Sequence, residues 1–322
     1  MTLGVLALFV LMAYGQEKKF ALYSVAFYNM ENLFDTIHDE GKNDYEYLPN
    51  GTNQWNTMKY KAKLKNMSEI LSMLSTDKLP MGPAIIGVSE IENYRVLEDI
   101  LKQPVLADRG YQYVHYEGAD QRGVDCAFFY NPKLFELTNS KLVPYVYIND
   151  TVHKTRGFLI ASGNIAGEKM HFIVNHWPSR AAASPARERA GEQVRAIKDS
   201  LLREDSAAKI VIMGDMNDDP MDKSMAVALG AKRKPADVGP TDLYNPWWDT
   251  LKKGYGTLMY KGKWNLFDQI VFTGNLLGTD RSTLKFYKHE IFRRDVMFQK
   301  EGKYKGYPKR TQAGGVWLNG YS

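Results

Sequence analysis

Cysteine is almost absent from this sequence, whose 322 residues contain only one, Cys126. A single cysteine excludes a disulfide framework and a cysteine-rich zinc site. Cys126 stands in the apolar run Val124–Tyr130, so we expect a packed small hydrophobic side chain rather than a nucleophile. The sequence also lacks an apolar run long enough to cross a bilayer, which argues against stable insertion into a membrane.

One apolar run, Leu3–Ala13, opens the chain and is followed by small residues and then by Glu17-Lys18-Lys19. This order is typical of a signal peptide, which we predict over residues 1–15, although no Lys or Arg precedes the run. A buried first strand or helix is the alternative. We therefore expect an exported protein, periplasmic or extracellular.

Residues 16–322 are predicted to form one large domain, with two domains as the alternative.

The sequence also lacks a large excess of one charge, because it contains 42 Lys and Arg and 37 Asp and Glu. The net charge of +5 fits an anionic substrate such as a phosphate ester, but it fits many other proteins equally well.

Several short apolar runs, rich in β-branched or aromatic residues and bounded by polar residues, predict buried strands. These runs are Ser24–Asn29, Ala84–Ser89, Val124–Tyr130, Met170–Asn175, Lys209–Met213 and Leu266–Thr273. Helical spacing of apolar residues predicts helices over Lys59–Ser75 and Ser184–Leu202. The loose alternation predicts an α/β fold of two mixed sheets covered by helices. The polar residues 35–58 predict a solvated surface insertion, with a lid or rim over the site as the alternative.

Carboxylate, amide and imidazole side chains fall at the ends of the predicted strands, where they can converge on one edge of a sheet. They are Asn29, Glu31, Glu90, Asn175, His176, Asp215, Asn217 and Asp268. Hydrolysis of a phosphate ester needs such a set. A hard divalent cation takes oxygen ligands, and a carboxylate or imidazole must orient or deprotonate the attacking water. Each residue alone has an ordinary structural explanation, but their recurrence at strand ends favours a site.

The motifs at these strand ends resemble those of the endonuclease/exonuclease/phosphatase superfamily, which includes pancreatic-type DNases, neutral sphingomyelinases and inositol-polyphosphate 5-phosphatases. The matching segments are YNMENLFD (28–35), SEIEN (89–93), RGVDCAFFY (122–130), NHWPSR (175–180), GDMNDDP (214–220) and LFDQIVF (266–272). They stand in the expected order over nearly all of the chain, and NHWPSR is similar to exported bacterial members. The resemblance implies a DNase I-like four-layer α/β sandwich of two mixed β-sheets flanked by helices.

The resemblance also implies a role for each matching residue. Glu90 would be the principal metal ligand, supported by Asn29 and Glu31. Asp215 would activate the nucleophilic water, and Asn217 would hold a phosphate oxygen. His176 would contact the phosphate or the leaving group, and Asp268 would partner a C-terminal histidine. The substrate phosphate would be bound by Arg122, Ser179 and Arg180.

The function expected from these features is metal-dependent hydrolysis of phosphate esters, with a phosphodiesterase or nuclease favoured. Mg²⁺ is the expected cofactor, with Mn²⁺ or Ca²⁺ as alternatives, and the expected partner is a phosphate ester, with nucleic acid as one candidate. A monomer is expected. The alternatives are a phosphate- or nucleic-acid-binding protein impaired in catalysis, and a phosphomonoesterase or sphingomyelinase-like enzyme.

The sequence departs from the family at its end. The last motif of the family is Ser-Asp-His, whereas this sequence ends Gly320-Tyr321-Ser322. We expect a C-terminal truncation that removes the histidine partner of Asp268, with natural loss as the alternative.

We therefore predict that purified 1–322 is inactive or severely impaired. It should hydrolyse phosphate esters at least about 10²–10⁴-fold more slowly than a version carrying Asp-His after Ser322, because one general acid–base group contributes roughly that factor. Rates of bis-p-nitrophenyl phosphate hydrolysis by the two proteins test this. Equal rates would contradict it.

Overall fold

The computed structural model describes residues 21–148 and 154–321, so the predicted signal peptide, residues 1–15, lies outside the described residues. The strands are β1 Val25–Leu33, β2 Ile85–Ile91, β3 Gln112–His115, β4 Asp125–Tyr130, β5 Glu136–Val143, β6 Phe158–Ile165, β7 Glu168–His176, β8 Lys209–Asp215, β9 Ala231–Lys232, β10 Leu243–Tyr244, β11 Leu258–Tyr260, β12 Lys263–Asn265, β13 Asp268–Thr273, β14 Gln312–Ala313 and β15 Val316–Trp317. The α-helices are α1 Thr57–Ser72, α2 Tyr94–Leu101, α3 Ser184–Glu204 and α4 Trp248–Lys252.

The strands form two larger mixed sheets and two short hairpins. The first sheet has the order β1-β2-β4-β3, in which only the β1–β2 pair is parallel. The second has the order β5-β6-β7-β8-β13-β10-β9, with parallel pairing at β7–β8 and β9–β10. Each of the six apolar runs predicted as buried strands lies at least partly in a strand. The edge strand β5 was missed because its alternating exposed residues gave no apolar run.

Helices cover the outer face of each sheet, so the expected four layers are present. The inner faces of the two sheets pack together through large side chains such as Phe128, Phe172 and Met213. Helices α1 and α2 cover the first sheet, and α3 covers the second together with a π-helical turn at Ser224–Leu229. None of the described helices is long and apolar enough to cross a membrane.

Polar side chains and proline define where the helices begin. The side chain of Asn56 accepts a hydrogen bond from the Lys59 amide at the start of α1, and Asn93 accepts from the amides of Arg95 and Val96 at the start of α2. Pro185 stands in the first turn of α3, where a missing amide hydrogen costs nothing.

The polar segment 35–58 corrects one expectation, since it is not a fully solvated insertion. Asp35 and Asp44 are buried. Asp35 forms an ion pair with Arg95 (2.7 Å), and Asp44 forms a close pair with His38 (2.5 Å). These contacts fix the segment, and six of its residues between positions 43 and 52 line an open cleft of about 570 Å³ together with Arg122. The segment is therefore largely exposed, as a surface insertion predicts, and part of it forms a rim of this cleft.

The parallel pair β7–β8 requires an unusually close approach at Gly214. A Cβ atom at this position would lie 2.3 Å from the carbonyl oxygen of Asn175 on the neighbouring strand. The pairing of Asn175 with Gly214 places the next residues, His176 and Asp215, side by side. Glycine at 214 therefore sets the spacing of two candidate site residues.

Gly214→Ala should lower the free energy of unfolding by about 1–3 kcal/mol, because two backbones must separate to admit one methyl group. Gly239→Ala is the matched control, since its Cβ would meet only the Asp242 carboxylate oxygen, at 3.2 Å, on a side chain that can move. Urea unfolding of both variants measures the difference. Equal loss of stability in the two variants would contradict the prediction.

Candidate active site

The candidate site lies where the ends of strands from both sheets meet. In the second sheet, Asp215 pairs with His176 on one side and with Asp268 on the other. Asn29, at the corresponding end of β1 in the first sheet, donates a hydrogen bond to Asp215 Oδ2 at 3.0 Å. The topology thus brings together residues that are up to 239 positions apart, as their strand-end placement in the sequence predicts.

Three side chains at this junction could hold a metal ion. One ligand atom each from Glu90, His176 and Asp215 lies within 4.8 Å of the others. Glu90 Oε1 lies 3.6 Å from His176 Nε2, and Asn29 Nδ2 lies 3.2 Å from the same carboxylate oxygen. The arrangement is compact enough for a single small cation.

The backbone around these side chains is held in a conformation that L-residues rarely adopt. Glu90 has φ 58°, Asn32 has φ 56° and Asn217 has φ 51°. The register of β1 and of β2 also shifts at this point, which marks a bulge in each strand. The bulges bring the Asn32 amide to 2.9 Å from Glu90 Oε2. Backbone strain of this kind is typical of functional sites.

Three acidic side chains, Glu90, Asp215 and Asp268, lie close together in the site, where burial and their mutual charge raise the pKa values of the last two. Burial and the nearby Glu90 raise the pKa of Asp215 to about 6. Burial and the charge of Asp215 raise the pKa of Asp268 to about 8. Asp268 Oδ1 is buried and has no hydrogen-bond partner in the described part of the chain, although other atoms of the residue reach solvent. Both raised pKa values show that burial and neighbouring negative charge make the ionised form of these carboxyl groups unfavourable.

A divalent cation fits this site. The donor set is rich in carboxylate oxygen, which Mg²⁺ and Mn²⁺ prefer, and it includes one imidazole. A cation at the junction would offset the repulsion that raises the pKa values of Asp215 and Asp268. Of the three residues expected at the metal, only Glu90 belongs to this cluster, and its other two members are Asp215 and His176.

Asn29 and Glu31, both expected at the metal, contribute differently. The Glu31 amide donates to Asn29 Oδ1 at 2.7 Å, which leaves the Asn29 NH₂ group facing the carboxylates of Glu90 and Asp215. Asn29 thus acts as a donor that bridges two carboxylates. The Glu31 carboxylate instead pairs with Arg310 (2.5 Å) and accepts from the Thr311 amide at 2.7 Å, so it ties β1 to the C-terminal segment.

His176 is kept neutral by its surroundings. Burial and the positive charge of Arg156 lower the pKa of His176 well below its ordinary value. Its Nδ1 is buried and has no partner among the described residues. A neutral imidazole beside Glu90 can coordinate a cation or donate a single hydrogen bond.

Arg156 is a residue that the sequence analysis missed. Its buried guanidinium pairs with Asp120 at 2.9 Å and donates to the Trp177 carbonyl at 3.1 Å. The same carbonyl accepts from Asn217 Nδ2 at 3.0 Å. Arg156 therefore acts on both His176 and Asn217 through the segment between them. An arginine directly before an apolar strand was the only signal available in the sequence.

The three predicted phosphate-binding residues lie in different settings. Arg122 lines the cleft beside the site, is exposed, and helps to lower the pKa of His176. Ser179 is exposed on the following loop. Arg180 is held by Asp222 (2.8 Å), by the Asn217 carbonyl (3.1 Å) and by the ring of Phe267, and therefore organises the loop of Asn217. The structure thus leaves Arg122 the most available of the three.

The sequence profile of the Endonuclease/Exonuclease/phosphatase family matches residues 24–322. No curated protein gives a significant sequence match. Among solved structures, humanized D. rerio TDP2 with 14 mutations has a TM-score of 0.51 at 14% identity, covering 78% of this chain and 83% of that chain. ANGEL2, a 2′,3′-cyclic phosphatase, has a TM-score of 0.51 at 11% identity, covering 66% and 74%. These likenesses confirm the expected DNase I-like fold.

The raised pKa of Asp268 predicts a pH-dependent loss of stability in the metal-free protein. A carboxyl group whose pKa is higher in the folded protein than in the unfolded chain stabilises the fold while it is protonated. For Asp268 this contribution is complete below the unfolded pKa of about 4, and it is lost as the pH rises through the folded pKa of about 8. In EDTA, Asp268→Asn should therefore be more stable than the parent by roughly 2 kcal/mol at the alkaline end of this window, with little difference at its acidic end.

Chemical denaturation across this pH window measures the effect. Asp295→Asn serves as a control, because the Asp295 side chain is 98% exposed. A difference between Asp268→Asn and the parent that stays constant with pH would contradict the prediction.

Proposed function

Because this chain belongs to the endonuclease/exonuclease/phosphatase family, we propose that it is a metal-dependent hydrolase of phosphate esters, with a phosphodiester as its substrate. The observation that carries the proposal is the convergence of Glu90, His176 and Asp215, with their ligand atoms within 4.8 Å of one another, at the meeting of the two sheets. The neighbouring Asp268 and Asn217 complete a set of groups that can handle a proton and a phosphate oxygen.

Glu90 and Asp215 are the proposed holders of a Mg²⁺ or Mn²⁺ ion, and His176 is a further donor within reach. When bound, such an ion polarises the phosphoryl group and neutralises charge that develops during in-line attack by water. The Asn29 NH₂ group and the Asn32 amide hold the two carboxylates in place from the protein side.

Two carboxyl groups lie side by side where they can act on the attacking water and on the leaving group. The Asp215 carboxylate can accept a hydrogen bond from the attacking water and so orient it. In the metal-free protein the pKa of Asp268 is raised to about 8, so this group can hold a proton and donate a hydrogen bond. Their pairing on adjacent antiparallel strands keeps the two groups together at one end of the sheet.

The neutral amide of Asn217 and the guanidinium of Arg122 would receive the phosphate. Asn217 is fixed by its own amide, which donates to Asp215 Oδ1 at 2.9 Å, and by the Trp177 carbonyl. Arg122 stands at the cleft with an exposed side chain and supplies a guanidinium that can pair with a phosphate oxygen. An open cleft fits a phosphodiester that continues on both sides of the reacting phosphorus.

Export from the cytoplasm remains part of the proposal, supported by the apolar run at Leu3–Ala13. Cell fractionation with an antibody to the protein tests it.

Glu90→Gln should abolish metal-dependent hydrolysis of bis-p-nitrophenyl phosphate, with a loss of about 10²-fold or more, because the charge that attracts the cation is removed while the shape is kept. The assay is run on 1–322 and on the version ending in Asp-His. Glu98→Gln on the exposed face of α2 is the matched control and should leave the rate unchanged.

The same variant separates the enzyme from a binding protein. A protein that only binds phosphate or nucleic acid would show no metal-dependent turnover in either version, and its binding would survive Glu90→Gln. That pair of results would contradict the proposed hydrolysis.

A further inference from the structure

The positive charge of the chain is concentrated in one segment. Residues 251–310 hold 14 of the 42 Lys and Arg but only 5 of the 37 Asp and Glu, so the rest of the chain is slightly acidic. The segment includes the hairpin β11–β12 and the long loop that follows β13. An uneven distribution of this size points to an anionic partner at this end of the molecule.

Aromatic rings and cations alternate on this surface. The Arg293 guanidinium lies over the rings of Tyr255 (5.7 Å), Trp264 (5.1 Å) and Phe298 (4.5 Å). Lys261 lies over Tyr260 at 5.3 Å, and Lys303 lies over Tyr304 at 5.5 Å. We call these residues, together with Lys263, Lys305 and Tyr307, the aromatic–basic surface.

The parts of the aromatic–basic surface are contiguous. Arg293 joins the hairpin to Phe298. An isolated antiparallel bridge from Phe298 to Pro308 then closes the loop that carries Lys303 and Lys305. A Cβ atom on Gly262, at the tip of the hairpin, would lie 3.8 Å from the Tyr307 hydroxyl. The hairpin and the loop therefore lie side by side.

Both kinds of side chain are available to a partner. Tyr255, Tyr260 and Tyr304 are 50%, 61% and 56% exposed. Within the described ranges, the ion pairs formed by this segment involve Lys288, Lys300 and Arg310, and none involves Lys261, Lys263, Lys303, Lys305 or Arg293. These cations are therefore not neutralised by the protein itself.

The surface leads directly to the candidate site. Asn265, next to Trp264, accepts from Arg180, which holds the loop of Asn217. At the same open end of the hairpin, the Thr257 hydroxyl accepts from the Asp268 amide at 3.2 Å. A chain lying across the hairpin would thus pass to the carboxylates without leaving the protein surface.

From this arrangement we infer that the aromatic–basic surface binds single-stranded nucleic acid and delivers a phosphodiester to the site. Exposed rings can stack on unpaired bases, and unpaired cations can follow the phosphates. The inference rests on the proposed phosphodiesterase function and names its substrate class. An anionic membrane is the competing partner, but apart from Val296 the exposed apolar side chains here are tyrosines rather than aliphatic residues or phenylalanine.

Two variants of the full chain, each with several substitutions, test the basic and the aromatic side chains of this surface separately. Lys261→Gln/Lys263→Gln/Lys303→Gln/Lys305→Gln removes charge, and Tyr255→Leu/Tyr260→Leu/Tyr304→Leu removes stacking while keeping apolar bulk. The matched control is Lys61→Gln/Lys78→Gln/Lys133→Gln/Lys141→Gln, since these lysines are exposed elsewhere on the molecule and form no ion pair in its described part.

Fluorescence anisotropy with labelled oligo(dT) in EDTA measures binding without hydrolysis. We expect each variant to weaken binding by about tenfold or more and the lysine variant to flatten the dependence of affinity on salt, with the control unchanged. Absent binding by the parent, unchanged binding by either variant, or equal loss in the control would overturn the inference. So would tighter binding of the parent and the leucine variant to phosphatidylglycerol vesicles than to oligo(dT).

Hydrolysis of bis-p-nitrophenyl phosphate with Mg²⁺, measured in the version that carries Asp-His after Ser322, separates this inference from the proposed function. This small substrate does not reach the aromatic–basic surface, so both variants should hydrolyse it at the parental rate. Loss of oligo(dT) binding with no hydrolysis by any protein would reject the proposed activity but leave the binding surface in place. Hydrolysis with unchanged oligo(dT) binding would reject the surface alone.

Discussion

Repulsion among buried carboxylates at the meeting of the two sheets is the constraint on which the rest of this structure depends. Glu90, Asp215 and Asp268 come from both sheets, and burial together with their mutual charge raises the pKa values of the last two. A fold selected for stability alone would not gather these groups. Their convergence makes sense if a cation completes the site.

The surrounding protein holds the carboxylates without neutralising them. Asn29 and the amides of Asn32 and Asn217 supply neutral donors. Two buried cations act on the site from its edges. Arg156 is itself paired with Asp120 and donates to the Trp177 carbonyl. Lys63 interacts with the charges of Glu31 and Glu90. The strained backbone at Glu90 and Asn217 aims their side chains at the junction. The protein therefore leaves a net negative charge that a substrate-binding cation can use.

Much of the architecture and part of the site follow from the sequence. Apolar runs identify β1, β2, β4, β7, β8 and β13 because buried strands are apolar on both faces, but they missed the interior strand β6. The polar residues after these runs converge because ends of strands from the two packed sheets meet. The position of Glu90 in the cluster was predictable on this basis. The donor role of Asn29 and the pairing of Glu31 with Arg310 were not predictable, because each depends on a long-range contact. Arg156 was missed for the same reason.

If the carboxylates gather around a metal, this junction binds one divalent cation. Titration with Mn²⁺ followed by electron paramagnetic resonance measures this binding, since free Mn²⁺ gives a signal that broadens when the ion is bound. We expect saturation near one ion per chain, lost on Asp215→Asn and unaffected by Asp249→Asn on the exposed surface of α4. Binding that persists in Asp215→Asn, or no binding by the parent protein, would contradict it.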